Sequence, residues 1–167
     1  MKFIYTISLL MTSAACFAQW TYKSGGNDFD GKYKTCSVEG TGGKSPYTTP
    51  GFYINHFENQ DDINMYFTGV GYLGCSSNRI LLKFPNDSII YKVLRPGTDE
   101  EKEALFINEI YNLEINEFLK KLMENNSVSV RVQSSCNKND YKFSLKGSSK
   151  AITFVTKDLK DKYFLDN

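Results

Sequence analysis

Residues 113–133 read Leu113-Glu114-Ile115-Asn116-Glu117-Phe118-Leu119-Lys120-Lys121-Leu122-Met123-Glu124-Asn125-Asn126-Ser127-Val128-Ser129-Val130-Arg131-Val132-Gln133, and two periods meet inside this stretch. Ile115, Phe118, Leu119, Leu122 and Met123 recur at three- and four-residue steps, which puts them on one side of a helix. After Asn125-Asn126 the period becomes two: Val128, Val130 and Val132 alternate with polar residues, as in a strand with one apolar face. Asn112 is the expected cap at the helix start, and Asn125-Asn126 the expected left-handed turn at its end. Tyr141 to Lys146 then pairs with 127–133 through a loop centred on Cys136 to Asp140. Ser148 or Ser149 opens a closing helix that carries Ile152, Val155 and Leu159.

Upstream of this segment the chain reads almost entirely as strand. Trp20 to Lys23 is a short opening strand closed by Ser24-Gly25-Gly26-Asn27, and Lys32 to Val38 alternates until Gly40-Thr41-Gly42-Gly43 breaks it. Phe52 to Phe57 and Ile63 to Val70 follow as strands, separated by the polar turn 58–62. Arg79 to Phe84 and Ser88 to Leu94 form a hairpin around Pro85-Asn86-Asp87, whose residues favour turns. Ala104 to Ile107 is a further short strand. Strands in sequence without alternating helices favour an antiparallel arrangement. The expected fold is therefore mainly β: an antiparallel β-sandwich-like domain, with one helix before the last hairpin and one at the C-terminus. The helices are expected to close its ends or cover an edge.

Three cysteines bear on the fold: Cys36, Cys75 and Cys136. If strand 79–84 lies antiparallel beside strand 127–133, Cys75 just before the first and Cys136 just after the second fall at the same end. Cys75–Cys136 is therefore the preferred disulfide, with pairings through Cys36 left open. The spacings fit no zinc site, and a lone histidine does not complete a ligand set, so no metal or other cofactor is expected.

The amino terminus supplies an address. Met1-Lys2, the mainly apolar run Phe3 to Met11 and the exit Ala14-Ala15-Cys16-Phe17-Ala18 are the three parts of a secretory signal. Residues 1–18 are read as a removable leader and 19–167 as a single β-rich domain beginning at Gln19, located in the periplasm or outside the cell. The alternative is a lipoprotein acylated at Cys16 and tethered to a membrane. Ser13-Ala14-Ala15-Cys16 lacks the large aliphatic residue usual three positions before such a cysteine.

Composition narrows the function. The chain carries 20 bases and 19 acids, and loss of Lys2 with the leader leaves 19 of each. Nucleic-acid binding needs a positive surplus gathered on one face, and neutrality argues against it. His56, the lone histidine, sits in an apolar strand, and no Gly-x-Ser-x-Gly elbow supplies a partner for it. Asn27-Asp28-Phe29-Asp30-Gly31 resembles half of a calcium loop but lacks the later glutamate. Asp61-Asp62 and Asp99-Glu100-Glu101 are adjacent acids on loops, unlike carboxylates held across a cleft. Gly40 to Ser45 has the flavour of a phosphate loop without its spacing, its strand or its helix. No enzymatic activity is expected. The aromatic set Tyr47, Phe52, Tyr53, Phe57, Tyr66, Phe67 and Tyr72 offers core on one face and a groove on the other. Tyr47, Tyr53 and Tyr72 are the candidate ligand-binding residues.

Taken together, Asp28 to Tyr33, Pro46-Tyr47 with Pro50, and Gly74-Cys75 ahead of Arg79 to Phe84 resemble a group of small exported bacterial proteins of unknown function. Phe118 to Leu122, Val130-Arg131-Val132, Phe143 to Ser148 and Ala151-Ile152 are similar, more distantly, to periplasmic accessory proteins associated with type VI secretion and to invasion-associated envelope proteins. That resemblance implies a β-sandwich-like ending and a non-enzymatic envelope role, and it carries no functional residue. The expectation is an exported, non-catalytic protein acting on an envelope or secreted protein, with membrane contact only if Cys16 is acylated. A periplasmic inhibitor or immunity protein, favoured by a protruding loop 40–51, and a carbohydrate- or peptide-binding module are the alternatives.

Overall fold

The computed structural model describes residues 20–28, 31–43, 49–71, 73, 75, 78–101, 103–159 and 162–163. In chain order these form β1 (Thr21–Asn27), β2 (Gly31–Gly42), β3 (Gly51–Phe57), β4 (Ile63–Thr68), β5 (Arg79–Lys83), β6 (Tyr91–Leu94), β7 (Ala104–Phe106) and β8 (Glu109–Ile110). Helix α1 (Ile115–Glu124), the hairpin β9 (Ser127–Gln133) and β10 (Lys138–Ser144), and helix α2 (Ser148–Thr156) follow. A 3-10 turn over Lys157–Leu159 extends α2. All pairings are antiparallel, in the spatial order β7-β4-β3-β2-β10-β9-β5-β6-β8, with β1 paired to β2 beside them. The sheet curls into a sandwich-like half-barrel, the mainly β fold expected.

β2 joins the two halves. At 12 residues it is about 40 Å long by the usual strand rise, far longer than its partners. One edge pairs β3; the other carries β1 along 31–37 and then β10 along 40–42. Gly40-Thr41-Gly42 was expected to end the strand, but it continues the strand and makes this junction. A Cβ on Gly40 would stand 2.6 Å from Cε1 of Phe143, and one on Gly42 would collide with the Asp140 carbonyl. Only glycine lets β10 approach so closely, and Gly42 also has a left-handed φ of 104°. Gly25-Gly26 likewise lies within β1 and does not end it.

Parity then builds the core. Inward residues of one half (Trp20, Val38, Phe52, Ile54 and Phe67) meet those of the other (Ile80, Leu82, Val130 and Phe143), all nearly inaccessible. Phe143 is the contact across the halves, with ring centroids 6.2 Å from Phe52 and 5.4 Å from Phe67. Both helices contribute to the same core. α1 buries Phe118, Leu119 and Leu122; α2 buries Ala151, Ile152 and Val155; α2 lies against β2, β3 and α1. Ser148 opens α2 as its first residue, after Gly147 in a left-handed conformation, and its hydroxyl donates to the Leu122 carbonyl of α1 at 2.7 Å. Asn112 is not the cap of α1, since Glu114 precedes that helix, and Asn125 ends it in extended backbone and not in a left-handed turn.

β5 and β9 pair with Arg79 opposite Gln133, so Cys75 and Cys136 meet at one end. They form the disulfide that the strand argument favoured, with Cα atoms 6.2 Å apart. Cys36 remains a thiol with 0 % exposure, enclosed in the core and out of reach of any second molecule while the domain is folded.

Candidate functional site

The outer face of the β2–β3–β4–β7 half begins as an alternation in sequence: Tyr53 and Asn55 on β3, Asn64 and Tyr66 on β4 and Phe106 on β7 are all half-buried. Register aligns them, with Tyr53 opposite Tyr66 and Tyr66 opposite Phe106. The two tyrosine rings stack at 5.0 Å between centroids and 3° between planes, and Phe106 follows at 5.2 Å and 40°. The result is an aromatic ladder across three strands, each step worth about 0.5–1.5 kcal/mol beyond area burial. Gly51 makes room for it: a Cβ there would stand 2.6 Å from Cε2 of Tyr53.

Asn55 ties the ladder down. Its amide donates to the Tyr66 hydroxyl at 3.1 Å, while its Oδ1 is enclosed and meets no donor among the described residues. Burial raises the Tyr66 phenol, opposed by the Asn55 hydrogen bond and aided slightly by Tyr53. Tyr33 and Phe57, 6.1 Å apart, continue the face toward β2.

Of the three tyrosines singled out in the sequence, Tyr53 lies in this ladder; Tyr47 and Tyr72 lie outside the described residues. The wider aromatic set divides by parity: Phe52 and Phe67 are core at 1 % exposure, Tyr53 and Tyr66 are surface. Phe106 and Asn55 were missed. For Asn55 the signal was legible, since it stands two residues after Tyr53 on one strand face; for Phe106 it was not, because β7 reaches β4 from 40 residues away.

Elsewhere a cleft of about 1220 Å³ opens between the β1–β2 hairpin, the turn 58–61 and the 3-10 turn. His56 forms part of its wall, only 5 % exposed, and its Nε2 donates to the Gln60 carbonyl at 3.0 Å. Lys34, opposite His56 on β2, is paired with Asp158, whose carboxyl it holds below the usual range with a smaller contribution from His56. Lys32 faces Glu58 at 3.6 Å. Lys32, Lys34, Glu58 and Asp158 are thus engaged with each other, and the histidine with a backbone carbonyl. Asp62 is held by Lys162 at 2.6 Å and by the Tyr163 hydroxyl at 3.0 Å, and Asp99 accepts from the Glu103 and Ala104 amides. Asp62 and Asp99 are therefore engaged in structural contacts. Asn27 and Asp28 line the cleft, while Phe29 and Asp30 lie outside the described residues. Among the described residues no three His, Cys, Asp or Glu side chains converge as metal ligands.

The chain matches no family model, no curated protein and no solved structure. Function therefore rests on the surfaces themselves.

Proposed function

We propose that the chain is an exported, non-catalytic protein that acts by contact with an envelope or secreted protein, through the aromatic ladder Tyr53–Tyr66–Phe106. The ladder carries the reading: half-exposed aromatics fixed in place before binding cost little entropy to immobilise, which is why Tyr is favoured at the centre of contacts. Stacked rings turn their faces to one another, and the Tyr66 hydroxyl is taken by Asn55. A sugar needs an open ring face, so the arrangement favours a protein partner over a carbohydrate. The leader-like residues 1–18, read with cleavage after Ala18, and the Cys75–Cys136 disulfide support a periplasmic or extracellular location. Among the described residues no helix is long and apolar enough to cross a membrane.

A crosslinked pull-down from intact source cells tests this, with wild type and Tyr53→Ser/Tyr66→Ser as baits. A partner held by the wild type and lost from the folded variant is expected; a partner retained at full yield by both refutes the ladder as the contact. Mass spectrometry of the bait's own terminal peptide distinguishes Gln19 from an acylated Cys16.

A further inference from the structure

The β5–β6 connection ends in two adjacent isoleucines, Ile89 and Ile90. A strand running from Ser88 would bury one of them, since neighbours on a strand point to opposite faces. The strand instead starts at Tyr91, and both remain outside: Ile89 is 56 % exposed and Ile90 58 %. The loop is braced by one carboxylate. Asp87 accepts from the Ile89 amide at 3.0 Å, from the Tyr91 hydroxyl, and from Lys121 Nζ of α1 at 3.0 Å. Lys121 also lies over the Tyr91 ring, 5.3 Å from its centroid. The exposed isoleucines are thus presented by a fixed support, and the acid of the loop is already neutralised.

The strands beside this loop carry a second observation. Parity turns Lys138 and Lys142 of β10, Arg131 of β9, Arg79 and Lys83 of β5 and Lys92 of β6 to the outer face. Register gathers them in rows. Lys83 and Lys142 flank Ser129; Lys92 and Arg131 flank Leu81; Arg79 and Lys138 flank Gln133. The acids on this face and its flanking strands are Glu109, Glu39 of β2 and Asp140, the last held by both donors of Arg131 at 2.6 and 2.7 Å. Six bases against three acids therefore share one side of a chain that is almost neutral as a whole.

A basic face alone would suit any polyanion. Exposed aliphatic side chains at its margin select a layer of negative charge that overlies hydrocarbon. We propose that the β5–β6 loop and the cationic outer face of β10–β9–β5–β6 form a docking surface for an anionic lipid bilayer. Ile89 and Ile90 enter the interface, and the bases meet the headgroups. The ladder lies on the other half of the curled sheet, so a protein partner and a membrane address different surfaces.

Sedimentation of the purified protein with vesicles of phosphatidylcholine, with and without phosphatidylglycerol, tests the proposal. Binding is expected only with phosphatidylglycerol and weakens as salt rises. Lys83→Gln/Lys92→Gln should reduce it about 25-fold, each surface base contributing about fivefold. Ile89→Ser/Ile90→Ser, at exposed positions that leave the core untouched, should reduce it about tenfold or more. In Ile90→Trp the new indole should shift to the blue on vesicles, against a background from Trp20 alone, already buried at 3 % exposure. Equal binding to both vesicle types, binding unchanged by the isoleucine variant, or a bound Ile90→Trp protein without the blue shift overturns the proposal.

Discussion

Replacing Cys75 and Cys136 by serine should cost the domain a large share of its stability, and the size follows from the chain between them. The disulfide spans 61 residues, a loop whose closure entropy in the unfolded state amounts to about 4 kcal/mol at 25 °C. Native geometry adds no obvious compensation, because β5 and β9 are adjacent through their own pairing and the cysteines only continue it. Small single domains have a net stability of about 5–15 kcal/mol, so the double variant remains folded but marginal. In urea its midpoint should fall, and m should rise as the released unfolded chain expands. On heating, Tm should drop by about 8–16 °C for a domain of this size. The reasoning is refuted if the double variant loses under about 1 kcal/mol. That result would mean that the unfolded chain already keeps the two ends together.

Cys36 serves as an internal reporter. Its thiol is pushed up to about 12 by burial, partly offset by a backbone hydrogen bond, so thiol reagents at pH 8 should label it only in denaturant, as read by intact mass. Because the folded state holds this proton more tightly than the unfolded one, stability should decline as pH rises from about 9 toward 12, measured by urea midpoints across that range. At the sheet junction, Gly40→Ala drives a methyl into the Phe143 ring, which is 0 % exposed and has nowhere to go. A loss of about 1–3 kcal/mol is expected, and it should shrink in a Phe143→Leu background if the clash is the cause.

Several elements were legible because their signal is local. The helical spacing of Phe118, Leu119 and Leu122 and the alternation of Val128, Val130 and Val132 each depend on a few neighbours, and α1 and β9 follow them. The disulfide was legible because it needed one further assumption, the pairing of β5 with β9. Gly40-Thr41-Gly42 misled because glycine has two uses: it ends strands, and it admits a close second backbone. Ser88-Ile89-Ile90 misled because β-branched residues favour strands, yet the Asp87 carboxylate claims the Ile89 amide and delays the ladder. At the candidate site, Tyr53 was reachable from its strand face, whereas Phe106 joined it only through the β4–β7 pairing.

The sequence alone determined what depends on neighbours along the chain: the mainly β character, two amphipathic helices and which residues of each strand share a face. Tertiary structure decided which strands lie side by side, since that choice minimises exposed apolar area over the whole chain and not over any segment. From that choice came the aromatic ladder across β3, β4 and β7, the enclosure of Cys36 and the gathering of bases on one face. Net charge is a sum along the chain, but a surface potential is a sum over space, and only the fold converts one into the other.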